Sequence, residues 1–120
     1  MARTIIFTRL VARPGNLDEL LAALDELAVA TRAEPGCEMF VVHPARDKAD
    51  VVLGYEVFSD EEALTAHRAT DAVAHARAQL AELLAEPPNI TYALDCARPY
   101  ALDRTSSSSR TAMPRVMARA

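Results

Sequence analysis

The chain has 120 residues, half of them apolar by the broad count, with few aromatics, no Trp and a formal net charge of −4. That is enough for one domain whose core is built from Leu, Ala and Val. Residues 1–97 hold 8 of the 13 basic and 16 of the 17 acidic side chains, a balance of −8 against +4 for residues 98–120, and an acidic body speaks against nucleic acid as a partner.

The opening MARTIIFTRL lacks the long apolar region of a signal peptide, and no apolar run approaches the ~20 residues of a membrane span. A cytoplasmic protein with no membrane partner is expected. Cys37 and Cys96 then read as small buried hydrophobes rather than a disulfide.

Residues 4–12, TIIFTRLVA, are β-branched and apolar, which predicts a strand covered on both faces. Pro14-Gly15 turns the chain, and Asn16 with Glu19 forms a capping-box pattern. Leu17, Leu20, Leu21, Leu24, Leu27 and Ala28 follow at helical spacing, up to Pro35-Gly36. CEMFVVH is a second strand, residues 43–50 a loop and VVLGYEVF a third strand. Ser59 and Glu62 make another capping-box pattern. The helix it opens turns Ala63, Leu64 and His67 inward, breaks near Thr70, and resumes through Val73, Leu80 and Leu84. Pro87-Pro88 ends it, and NITYALDC is a fourth strand.

The order βαββαβ predicts a ferredoxin-like α+β sandwich with an antiparallel sheet over residues 1–97, followed by a flexible Ser/Arg-rich tail, 98–120. Two helices cover one sheet face. The first strand nevertheless carries Ile5, Phe7 and Val11 on one side and Ile6 and Leu10 on the other, and the third carries Val51, Leu53, Tyr55 and Val57 on one face. A second copy of the chain, packed sheet on sheet in a homodimer, is the expected cover. By parity Tyr55 and Tyr92 belong to that dimer side.

The stretches RPGNLDELLAALDELAVATRAEPGC and VVLGYEVFSDEEALTAHRAT resemble the antibiotic biosynthesis monooxygenase (ABM) family over residues 3 to about 96. The resemblance implies a dimeric ferredoxin-like fold, of the dimeric α/β-barrel type, with a pocket between sheet and helices. Relatives so implied include cofactor-independent oxygenases of anthrones and quinols, haem-degrading oxygenases and an isomerase of a phosphorylated keto-sugar. Where the haem-degrading branch has Asn, Trp and an axial His, this chain has Thr8, His67 and Arg77. Where the anthrone-oxidising branch has Asn, Trp and Tyr, it has Gly54, Phe58 and Leu64. The pattern YE-x-F-x-DE-x-A-x-x-x-H-x-x-T is similar to quinol-monooxygenase-like members, and also to the isomerase-like ones, which share Glu56 and His67.

Strand periodicity puts Gly54, Glu56 and Phe58 on one face, which the resemblance assigns to the pocket. Glu56 beside the inward His67 would fix the imidazole tautomer and raise its basicity. The pair reads equally well as a buried structural hydrogen bond. Ile6, Leu10, Phe58 and Leu64 are the expected pocket walls, Thr8 a wall or plain strand residue, and Arg77 a possible anion stabiliser if it points inward. His75 and His43 read as surface residues, and no His, Cys or carboxylate spacing suggests a metal site. The leading expectation is a cofactor-independent monooxygenase that oxidises a small aromatic phenol, hydroquinone or polyketide-type substrate with O2. Proton transfer on a small keto compound, as an isomerase, and a non-catalytic dimeric ligand-binding module are the alternatives.

Overall fold

A computed structural model describes residues 2–95. The tail expected at 98–120, and Cys96, lie outside the described residues. The elements are β1 (Thr4–Val11), α1 (Leu17–Arg32), β2 (Cys37–Pro44), β3 (Val51–Phe58), α2 (Glu61–Arg68), α3 (Asp71–Leu83) and β4 (Asn89–Leu94). The strands form one antiparallel sheet in the order β2-β3-β1-β4, so the fold is the ferredoxin-like α+β sandwich. No helix among the described residues is long and apolar enough to cross a membrane.

Two helix starts differ from their sequence patterns. The Asn16 side chain caps no backbone amide; its Nδ2 donates to Glu19 Oε1 at 3.0 Å, so the two polar groups satisfy each other. At α2 the cap is Asp60, one residue beyond Ser59. Its backbone is extended, and its carboxylate accepts the Ala63 amide at 2.8 Å. An anion at a helix N-terminus also meets the positive end of the helix dipole. The break near Thr70 is a change of helix. Ala69 closes α2, and the Thr70 hydroxyl accepts from Val73 N at 3.3 Å to open α3.

That bend governs how the sheet is covered. α3 packs chiefly on α1, while α2 lies over β3. Two core clusters result. One joins Leu10, Ala12, Leu20, Leu24, Val52 and Leu84, and the other joins Ile6, Phe58 and Leu64. Thr31 is fully buried in α1 with no partner for its hydroxyl among the described residues.

The sheet register sorts side chains by face. Ile6, Glu56, Phe40 and Tyr92 lie in one cross-strand row, and Thr8, Gly54, Val42 and Ile90 in the next. Tyr92 is thus on the helix side, contrary to the parity reading, because it pairs with Ile6. Tyr55 is on the open side, its ring 5.0 Å from that of Phe7. At Gly54 a Cβ would overlap Thr8 Oγ1 and come within 3.3 Å of Val42 Cγ1.

Gly54→Ala is therefore expected to destabilise the fold by about 1–3 kcal/mol. Thr8→Ala in the same chain should recover part of the loss, as equilibrium denaturation of the two single variants and the double variant will show; strict additivity would contradict the overlap.

Candidate active site

Between the two core clusters lies a cavity of about 190 Å³ whose walls come from both. Ile6, Leu10, Leu24, Phe40, Leu64 and Leu80 make it largely apolar. Of the residues singled out from the sequence, Ile6, Thr8, Leu10, Glu56, Leu64, His67 and Arg77 line it. Two do not. Gly54 sits beneath Thr8 and Val42, giving their side chains room, and Phe58 is fully buried behind His67, ring centroids 4.8 Å apart.

His67 is 7% exposed. Its Nδ1 lies 3.1 and 3.2 Å from the two carboxylate oxygens of Glu34, not against Glu56 as the sequence pattern suggested. The expected pair fails because His67 is reached from the turn after α1, where Pro35-Gly36 brings the chain back toward β2 beside α2. A Cβ on Gly36 would overlap that of Ala63 in α2, so the glycine permits the close approach that carries Glu34 to the imidazole. With Nδ1 taken by a carboxylate, Nε2 is the nitrogen available to a ligand in the cavity.

Glu56 has no hydrogen-bond partner among the described residues. Burial among apolar walls pushes its carboxyl up to about 7 from an ordinary 4.5; Arg68 pulls it down in part and Glu34 pushes it up. A group that titrates near neutrality within a cavity is suited to proton transfer. At the mouth, Arg68 donates to the Tyr92 hydroxyl and its guanidinium lies 5.3 Å from the Tyr92 ring centroid. Arg77, exposed on α3, lines the same cavity. Among the described residues no three His, Cys, Asp or Glu side chains are grouped to hold a metal.

Glu34 and Tyr92 are site residues that sequence reasoning missed. Glu34 stands in the EPGC stretch, whose Pro and Gly signal only a helix stop, and the side on which Tyr92 lies depends on the β1–β4 register. His75 and His43 are exposed; His75 Nε2 lies 3.6 Å from Glu26 on the helix surface.

Residues 4–79 match the family model described as antibiotic biosynthesis monooxygenase. The chain is 34% identical over 86 residues to the Mycobacterium tuberculosis protein named "Putative monooxygenase Rv0793", covering 72% of this chain and 84% of that one. The solved structure of Rv0793 superposes with a TM-score of 0.76 at 28% identity, over 81% of this chain and 98% of that one. SO0527 from Shewanella oneidensis gives a TM-score of 0.71 at 27% identity, over 79% and 94%.

The raised Glu56 pKa has a signed consequence for stability. The folded chain holds the Glu56 proton up to about pH 7 and the unfolded chain only to about 4.5. Between those values the folded state binds more protons, so stability from this group is complete below pH 4.5 and is lost as pH rises to about 7. Glu56→Gln, a neutral isostere, should match wild type near pH 4 and exceed it above pH 8 by roughly 2–3 kcal/mol. Urea denaturation at the two pH values checks this, and an equal difference at both would contradict it.

Proposed function

The chain belongs to the antibiotic biosynthesis monooxygenase family, and on that premise we propose that it oxidises a one-ring phenol or hydroquinone with O2, the substrate supplying the electrons. The carrying observation is the pairing, in one apolar cavity, of a carboxylate-held imidazole with a carboxyl that titrates near 7. The volume supports a small substrate, since an apolar cavity of about 150 Å³ already takes up benzene.

In this reading His67 Nε2 takes the substrate hydroxyl proton, and Glu34 holds the ring and stabilises the imidazolium. The anion passes one electron to O2, and the radical and superoxide join, forming a C–O bond at a ring carbon that bears hydrogen. Protonated Glu56 gives its proton to the distal peroxide oxygen. The Glu56 carboxylate then removes the ring C–H proton as the O–O bond breaks, and the departing hydroxide takes the His67 proton. One oxygen atom ends in the quinone carbonyl, the other in water, and both protein groups return to their starting states. Apolar walls favour the step by excluding water from the anion.

The same two proton-holding groups also support a second reading, isomerisation of a keto compound by proton removal and return. Oxygen consumption separates the two.

The subunit is proposed to work as a homodimer. On the open sheet face Phe7, Met39 and Leu53 are nearly half exposed, beside half-buried Ile5, Val41 and Tyr55. Such a contiguous apolar face suits sheet-on-sheet association.

With metal and flavin excluded, one-ring hydroquinones should drive O2 uptake, with one atom of ¹⁸O2 appearing in the product. His67→Ala and Glu56→Gln should each lower kcat by roughly 10²–10⁴-fold, and the wild-type rate should fall as pH rises through about 7, where Glu56 loses its proton. Uptake indifferent to both substitutions would end the reading; no uptake would move it to the isomerase. For the dimer, light scattering at micromolar concentration should give twice the chain mass, and Phe7→Asp with Leu53→Asp should give the monomer. A monomeric wild type would count against it.

A further inference from the structure

Five of the arginines among the described residues have their charge or N–H groups engaged by a carboxylate or a backbone carbonyl. Arg3 pairs with Glu38 at 2.7 Å, Arg9 with Glu86 at 3.3 Å and Arg46 with Asp47 at 2.9 Å. Arg13 and Arg32 donate to the carbonyls of Leu84 and Phe40 at 3.1 and 3.0 Å. The remaining two, Arg68 and Arg77, are the two that line the cavity. Among the described residues Arg68 has only the neutral Tyr92 hydroxyl, and Arg77 has no hydrogen bond or ion pair.

On a body whose residues 1–97 carry a net −8, two exposed cations that line one cavity and hydrogen-bond to no carboxylate among the described residues stand against the overall charge. Neither is buried, so water satisfies both at rest, and both can be approached by a ligand. The Tyr92 ring under Arg68 restricts that guanidinium, which lowers the entropy lost when it binds. The one cavity carboxyl not held by another side chain, Glu56, lies among the apolar walls and is only partly ionised near pH 7. The Arg68 charge is therefore offset only in part from within.

We infer that the cavity takes a small organic anion, an aromatic or keto carboxylate, with its carboxylate held at the mouth by Arg68 and Arg77 and its carbon skeleton directed toward Ile6, Leu10 and Leu64. This inference rests on the proposed site and names its substrate class. It does not depend on the oxygen chemistry. A guanidinium presents paired N–H donors that match a carboxylate. The charged end of the ligand stays near water, while the ring gains from leaving it.

The test compares 2,5-dihydroxybenzoate with its methyl ester, which keeps the hydroquinone ring and removes the charge, by calorimetric titration of the full chain without oxygen. The acid should bind roughly 10- to 100-fold more tightly. The preference should shrink between low salt and about 0.5 M, and should fall to near unity in Arg68→Gln/Arg77→Gln, whose fold is checked by circular dichroism. Equal binding of acid and ester to wild type, binding of neither, or a preference that survives in a folded double variant would each overturn the inference. Because the titration is anaerobic, the two proposals fail separately. An acid preference without O2 uptake keeps the anion site and removes the oxygenase; uptake with neutral hydroquinones and no acid preference does the reverse.

Discussion

The site depends on the bend between α2 and α3, which carries α3 onto α1 and leaves α2 over β3. A single helix running straight from Glu61 to Leu83 would keep both segments on one axis. The chain instead stops at Ala69 and restarts from the Thr70 cap, so α3 leans on α1 while α2 stays over β3. Two separate clusters form, with the cavity between them, and the carboxyl of Glu56 faces a space where neither water nor a cation fully compensates its charge.

The imidazole is held by a different kind of constraint. His67 belongs to α2, Glu34 to the turn after α1 and Phe58 to β3, so a carboxylate 33 residues away and the end of the preceding strand together fix one ring. A displacement of any one would break the hydrogen bond or the ring contact. Gly36 is needed for this, since the turn passes close enough to Ala63 that a side chain would collide. The ring is nearly buried, so competition from water for Nδ1 is slight, and the tautomer is set by protein rather than solvent.

Periodicity made the scaffold legible. Alternation in the first and third strands, leucine spacing in the first helix and the Pro-Gly and Pro-Pro stops give every element of the sandwich to within a few residues. The inward turn of His67 follows from the same spacing. Long-range register was not legible. Tyr92 faces the helices because β4 pairs with β1 so that Tyr92 meets Ile6, and strand parity counted within one segment carries no such information. Glu34 eluded the reading for a related reason. A carboxylate in a turn has no periodicity of its own, and its partner lies 33 residues away. Asp60 displaced Ser59 as the cap because an extended residue with a longer anionic side chain reached the amide. Local patterns thus located the elements, and contacts between elements chose the chemistry.

Arg68 connects the mouth of the cavity to its interior. It lies on Tyr92, and its charge also lowers the Glu56 pKa against the effect of burial. An anion held by Arg68 would spend that charge on the ligand and add a negative charge of its own near Glu56. Both effects favour the protonated carboxyl. Binding at the mouth would then supply the acid that the proposed peroxide step requires, and departure of the product would allow Glu56 to ionise again. A neutral ligand of the same shape would fill the cavity without this effect, so charge at the mouth and proton transfer inside would be selected together.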